Sequence, residues 1–143
     1  MAAAAVTGPP RPGFTLVEVA AVCAVVGVIS ALALPSYQGY LLRAGRADAV
    51  NALTRVQLAQ ARFHAAHGLY ASELSALRGV PQPLSAQGRY SLALRTQGAE
   101  GYRATAAALP GGRQAADTEC AVLSVEVAQG FTHIGPAARC WNR

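Results

Sequence analysis

The chain has 143 residues, of which 52% are apolar and 13% charged, with a mean hydropathy of +0.26 and a formal net charge of +5. That balance excludes a disordered tail and suits one small domain. All the basic residues are arginines, 12 against 7 acids, and they are spread along the chain without a dense patch. Such a surplus permits weak attraction to phosphate polymers or anionic lipid without defining a binding tract.

Residues 1–13, MAAAAVTGPPRPG, are mostly small, contain three prolines and end in glycine, so they read as a leader or tether. The next 21 residues, Phe14 to Leu34, carry one charge, Glu18, in an otherwise apolar run. As a helix this segment spans about 31 Å at 1.5 Å per residue, enough for a bilayer core of about 30 Å. A conventional secretory signal would be cut after the apolar run, where Ser30, Ala31 and Ala33 supply small residues. Against that reading, the alanine-rich helical pattern continues beyond the run, and Glu18 sits at its very start. An ionised carboxylate in hydrocarbon requires an interfacial position or a partner. The α-amino group of a neighbouring chain would be such a partner if cleavage fell immediately before Phe14.

GFTLVEV, from Gly13 to Val19, followed by the apolar run and ALPSYQGYLLRAGRADA, resembles the N-terminal signature of the type IV pilin family. The resemblance implies that a prepilin peptidase cuts after Gly13 and methylates Phe14. It places the family's glutamate, fifth in the mature chain, on Glu18, its helix-kinking proline on Pro35, and an aromatic pair on Tyr37 and Tyr40. Gly13 would offer the peptidase an unbranched residue at the scissile bond. Glu18 of one subunit would neutralise the Phe14 amine of the next and so set assembly register, with desolvation opposing the attraction. Gly27 and Pro35 weaken regular helix geometry.

Beyond Pro35, Ala49, Leu53, Val56, Gln60 and Phe63 follow a 4, 3, 4, 3 rhythm flanked by Ala52, Ala59 and Ala66. One face therefore packs while Arg55 and Arg62 stay wet. This predicts one long helix over about 14–66, with 35–67 as an amphipathic spine and Gly68 as its stop. His64 and His67, three apart, lack a third ligand at metal-site spacing and read as helix-end polarity; His133 is isolated. Residues 68–89 form a connecting loop with a short helix near Ser72 to Leu77, and Gly68 and Tyr70 resemble the G-x-Y that follows the pilin helix.

Residues 90–143 are expected to form an antiparallel sheet. Tyr90, Leu92 and Leu94 share one face, as do Tyr102, Ala104 and Ala106, with the turn-rich residues 97–101 between them. A third strand sets Ala121, Leu123, Val125 and Val127 on one face. Cys120 and Cys140, 20 positions apart, read as a disulfide if the segment faces an oxidising compartment, worth about 3 kcal/mol by loop entropy. Trp141 would cover an apolar edge. Cys23, inside the apolar run, behaves as a small hydrophobe.

The expected architecture is α+β: a long N-terminal helix, transmembrane in its first half, packed by its second half on a small antiparallel sheet. No catalytic, cofactor or metal pattern stands out. The resemblance implies a structural subunit of a type IV pilus. Its expected partners are prepilin peptidase, other pilin subunits, the inner-membrane assembly platform and the membrane itself. The precursor would sit in the bacterial inner membrane with its head in the periplasm, and the assembled form in an extracellular pilus serving adhesion, twitching motility or DNA uptake. Competing readings are a type II secretion pseudopilin, a minor pilin acting as DNA receptor, and an unrelated single-pass binding protein. A pseudopilin of the calcium-binding type would carry an acidic C-terminal loop, which is not seen. For DNA, the candidates are Arg89, Arg95, Arg103, Arg113, Arg139 and Arg143, provided that folding gathers them.

Overall fold

Small and apolar residues favour a helix from the start of the apolar run, Gly27 and Pro35 weaken it without ending it, and Gly68 ends it. In the structure, a computed structural model describing residues 13–80 and 82–141, this helix, α1, runs Leu16–His67. Residues 1–12 of the expected leader 1–13, and Arg143 of the DNA candidates, lie outside the described residues. The chain divides into two compact units, Met1–Tyr37 and Gln38–Arg143.

In the first unit every residue from Gly13 to Leu34 is exposed. The backbone remains helical through Pro35, whose side chain lies outside the described residues, and Ser36 Oγ donates to the Ala33 carbonyl at 2.9 Å.

In the second unit, α1 ends where Gly68 takes the left-handed conformation (φ 73°) and its N–H donates to the His64 carbonyl at 2.8 Å, a glycine-capped stop. The following loop holds one 3-10 turn, Leu74–Ala76, shorter than the helix expected there. The sheet comprises β1 (Tyr90–Thr96), β2 (Gly101–Ala108), β3 (Val122–Ala128) and β4 (Phe131–Gly135), all antiparallel and in sequence order. Two further 3-10 turns, Arg113–Ala116 and Ala138–Trp141, flank β3 and close the chain.

The fourth strand was not expected. Gln129 (φ 51°) and Gly130 (φ 81°) both adopt positive φ and join β3 to β4 in a two-residue hairpin with Ala128 opposite Phe131. Positive φ at both central positions is the geometry that matches strand twist. The signal was the Gln-Gly pair, but Phe131, Thr132 and His133 are all exposed, so β4 lacks the alternation that marks a half-buried strand.

The core joins Ala49, Ala52, Leu53, Val56 and Ala59 of α1 to Tyr90, Leu92, Tyr102, Ala104, Ala106, Leu123 and Val125 of the sheet. The predicted helix face is therefore the buried one, except that Phe63 is half-buried and Ala66 exposed. Alanines on both α1 and β2 let the layers approach closely. Gln60, fully buried, both donates to the Ala71 carbonyl and accepts from the Ala71 N–H, each at 2.9 Å, which fastens the start of the loop to the spine.

Candidate functional site

Gly13, Phe14 and Thr15 precede the helix in non-helical backbone. Thr15 Oγ1 accepts the Glu18 N–H at 3.2 Å, and the Thr15 carbonyl accepts the Val19 N–H at 3.2 Å. Thr15 is thus the N-cap of α1, a role the sequence reading missed although Thr15-Leu16-Val17-Glu18 has the S/T-x-x-E spacing of a capping box. Glu18 falls in the first turn, where a negative charge complements the helix dipole. Phe14 is 84% exposed, and Val19, Val22, Val25, Val26, Ile29 and Leu32 are all exposed as well. An apolar surface of this continuity marks a membrane or protein contact, and α1 is long and apolar enough to cross a membrane. A Cβ added at Gly27 would touch nothing, so intrachain packing does not require that glycine.

In the second unit the candidate residues are held by long-range polar contacts. Cys120 and Cys140 are joined, with Cα atoms 5.5 Å apart, and both are buried. Beside them Arg46 grips Asp117 with two bonds, Nε to Oδ2 at 2.7 Å and Nη2 to Oδ1 at 2.9 Å, while its Nη1 donates to the Arg139 carbonyl at 3.2 Å. The hydrogen bond to Asp117 raises the Arg46 pKa against the opposing effect of burial. The Trp141 indole donates to the Gly135 carbonyl at 2.9 Å and is almost wholly buried, at the end of β4.

Gln114 links three segments: its amide nitrogen donates to the Leu42 carbonyl at 3.1 Å and to the Tyr90 hydroxyl at 2.9 Å. Burial pushes the Tyr90 phenol up, and the Gln114 bond acts the other way. Gly45 makes this possible, because a Cβ there would lie 2.3 Å from Gln114 Oε1. Asp48, also buried, accepts from the Ser85 hydroxyl and from the Gln87 N–H at 3.1 Å. It ties the end of the connecting loop to the spine.

Folding gathers the DNA-candidate arginines only in part. Arg103 pairs with Glu126, and Arg139 with Glu119 at 3.2 Å. Arg95 lies opposite Arg103 in the β1–β2 register, in a row that continues through Glu126 to His133. Arg89 and Arg113 are brought together: they border one cavity of about 330 Å³ with Gly88, Leu109, Gly112 and Gln114, and neither is ion-paired among the described residues. His64 stacks on Tyr70 at 4.4 Å and His67 on Phe63 at 4.1 Å, and His67 Nδ1 also lies 2.9 Å from the Phe63 carbonyl. Among the described residues no group of three or more His, Cys, Asp or Glu is placed to hold a metal.

A long helix whose second half packs on a four-stranded antiparallel meander, with a disulfide at the C-terminal edge, is the architecture expected of a pilin. A family profile described as "Type IV minor pilin ComP, DNA uptake sequence receptor" matches residues 35–124. The Type IV major pilin protein PilE of Neisseria gonorrhoeae is 35% identical over 80 residues, 56% of this chain and 47% of its own length. The fimbrial protein EcpC of Eikenella corrodens is 28% identical over 91 residues, 64% of this chain and 59% of its own. A fimbrial protein of Moraxella nonliquefaciens is 49% identical over 39 residues, 27% of this chain and 25% of its own. The chain spans about half the length of the PilE relatives it matches. It belongs to the type IV pilin family. The profile match begins at residue 35, so Gly13, Phe14 and Glu18 lie outside it.

Proposed function

We propose that this chain is a pilin precursor, cut by prepilin peptidase between Gly13 and Phe14, methylated at Phe14, and assembled into a type IV pilus through its N-terminal helix. The observation that carries the reading is the fully exposed apolar segment 14–34, with Glu18 as its one charge, in a chain whose other unit has a closed core. Such a segment has two environments open to it, lipid before assembly and the packed helices of other copies afterwards. Glu18 makes no ion pair among the described residues, which is consistent with a partner on another copy, the Phe14 amine. Pro35 has no N–H to give the Ala31 carbonyl, and this weak point in the ladder suits a helix that must change surroundings. The precursor would span the inner membrane with its head in the periplasm and dock on the assembly platform. Co-expression with a prepilin peptidase tests the reading: wild type loses residues 1–13, whereas Gly13→Leu keeps its full mass. Cleavage of both, or of neither, contradicts it.

A second reading, a minor pilin that receives DNA, is favoured by the description of the matching profile and by the Arg89–Arg113 cavity. Two unpaired guanidinium groups at one opening suit a phosphate backbone. The full chain in nanodiscs would bind duplex DNA with an affinity that falls as salt rises, and Arg89→Ala with Arg113→Ala would weaken it at least tenfold. Absence of binding at low salt would exclude this role. The relatives named above are pilus or fimbrial proteins, which supports a pilus over a type II secretion filament.

A further inference from the structure

The head carries a second cleft, of about 250 Å³, lined by Gln57, Ala61, Tyr70, Tyr102, Val127 and Thr132. Its floor is apolar and it contains no charged side chain, unlike the cavity of Arg89 and Arg113. Most buried polar side chains of the head are bonded internally: Gln60 to Ala71, Tyr90 to Gln114, Trp141 to Gly135. The cleft is different. Tyr102 is 2% exposed as a residue, no side-chain hydrogen bond engages its hydroxyl among the described residues, and its oxygen, unlike Gln114 Oε1, is not closed off, so it is open to the cleft. Burial, with a smaller contribution from Tyr70, pushes that phenol up to about 12, so it is a neutral O–H donor at physiological pH. The side chains of Gln57, Tyr70 and Thr132 likewise make no hydrogen bond among the described residues. The site is also stiff: Tyr70 stacks on His64 at 4.4 Å and tilts against Tyr102 at 5.0 Å.

Two phenols, a carboxamide and a hydroxyl, all uncommitted, around an apolar floor, select a ligand that has neutral hydroxyls on its rim and C–H groups on its face. The absence of charge disfavours phosphate and carboxylate ligands, since a buried ion needs a counter-ion or several donors. A wholly apolar occupant would leave the Tyr102 hydroxyl unsatisfied, and that penalty is larger than the gain from an ordinary hydrogen bond. The volume lies just below the range of drug-sized pockets, roughly 300–1,000 Å³, so one ring fits and an oligomer would extend outside. We propose that this cleft is a binding subsite for a single neutral pyranose ring of a glycan, held by the Tyr102 hydroxyl and the Gln57 carboxamide with its C–H face on the tyrosines. This inference stands apart from the filament and DNA readings.

The test is saturation-transfer NMR on the full chain in nanodiscs with methyl glycosides of neutral hexoses and N-acetylhexosamines, and with sialyllactose as an acidic probe. At least one neutral glycoside should bind, and Tyr102→Phe, Gln57→Ala and Thr132→Val should each weaken it, the first about tenfold, with Arg89→Ala unchanged. Trp141 fluorescence melts identify any variant that fails to fold, and Thr132→Val, at an exposed position, keeps the test decisive. The proposal is overturned if no neutral glycoside binds wild type, if binding survives all three substitutions, or if only the acidic probe binds and Arg89→Ala abolishes it.

Discussion

The apolar run 14–34 and the head treat their hydrophobic residues in opposite ways. In the run, Leu16 is 86% exposed and no residue through Leu34 is even half-buried. In the head, Leu53, Val56, Leu123 and Val125 are at 0% exposure, and polar pairs far apart in sequence close around them. The head thus has a closed core, and among the described residues the run is a surface without partners. On the proposed function, one region answers to stability and the other to assembly, and substitutions in the two should separate cleanly.

The largest expected effect lies in the run. Glu18→Ala should leave processing and the Trp141 fluorescence melt of the head unchanged but reduce the pilus-incorporated fraction at least tenfold, measured by quantifying subunits in sheared filaments against membrane. Equal incorporation would remove the registry role of Glu18. Next is the disulfide. Replacing Cys120 and Cys140 by serine should lower head stability by about 3 kcal/mol, read by denaturant titration, with no change in membrane insertion of the run.

A smaller effect separates packing from helix propensity. Gly45→Ala should gain up to about 1 kcal/mol of propensity but displace Gln114 from Leu42 and Tyr90, for a net loss of about 1–2 kcal/mol. In a Gln114→Ala background the same substitution should be neutral or stabilising, and the double-mutant cycle measures the coupling. The smallest effect is alkaline. Tyr102 ionises at about 12 when folded, against 10.0 as the reference, so above pH 10 the unfolded chain binds fewer protons than the folded one. Stability should therefore fall as pH rises from about 10 to about 12 and level beyond. Tyr102→Phe should flatten that slope, leaving the contribution of Tyr90, whose phenol is also raised.

These contrasts also mark where sequence reasoning reached its limit. The 4, 3, 4, 3 rhythm of Ala49, Leu53, Val56 and Gln60 exposed the buried helix face because local periodicity encodes burial. Gly68 marked the helix end for a similarly local reason, and strands β1 to β3 followed from alternation. What escaped was non-local or atypical. Arg46 meets Asp117 across 71 positions and Gln114 reaches Leu42 across 72, and no local pattern announces either. β4 was missed because its residues are largely exposed. Thr15 is the exception: its capping spacing is local and readable, but it lies inside the GFTLVE motif, whose residues already have another reading.

The central claim, that residues 14–34 begin a mature filament subunit, rests on one bond. Intact-mass and N-terminal peptide mass spectrometry of the chain recovered from filaments or membranes of a host with a prepilin peptidase addresses it directly. The account predicts a mature N-terminus at Phe14 carrying one added methyl group; an intact Met1, or a new terminus after Ala33, would contradict it.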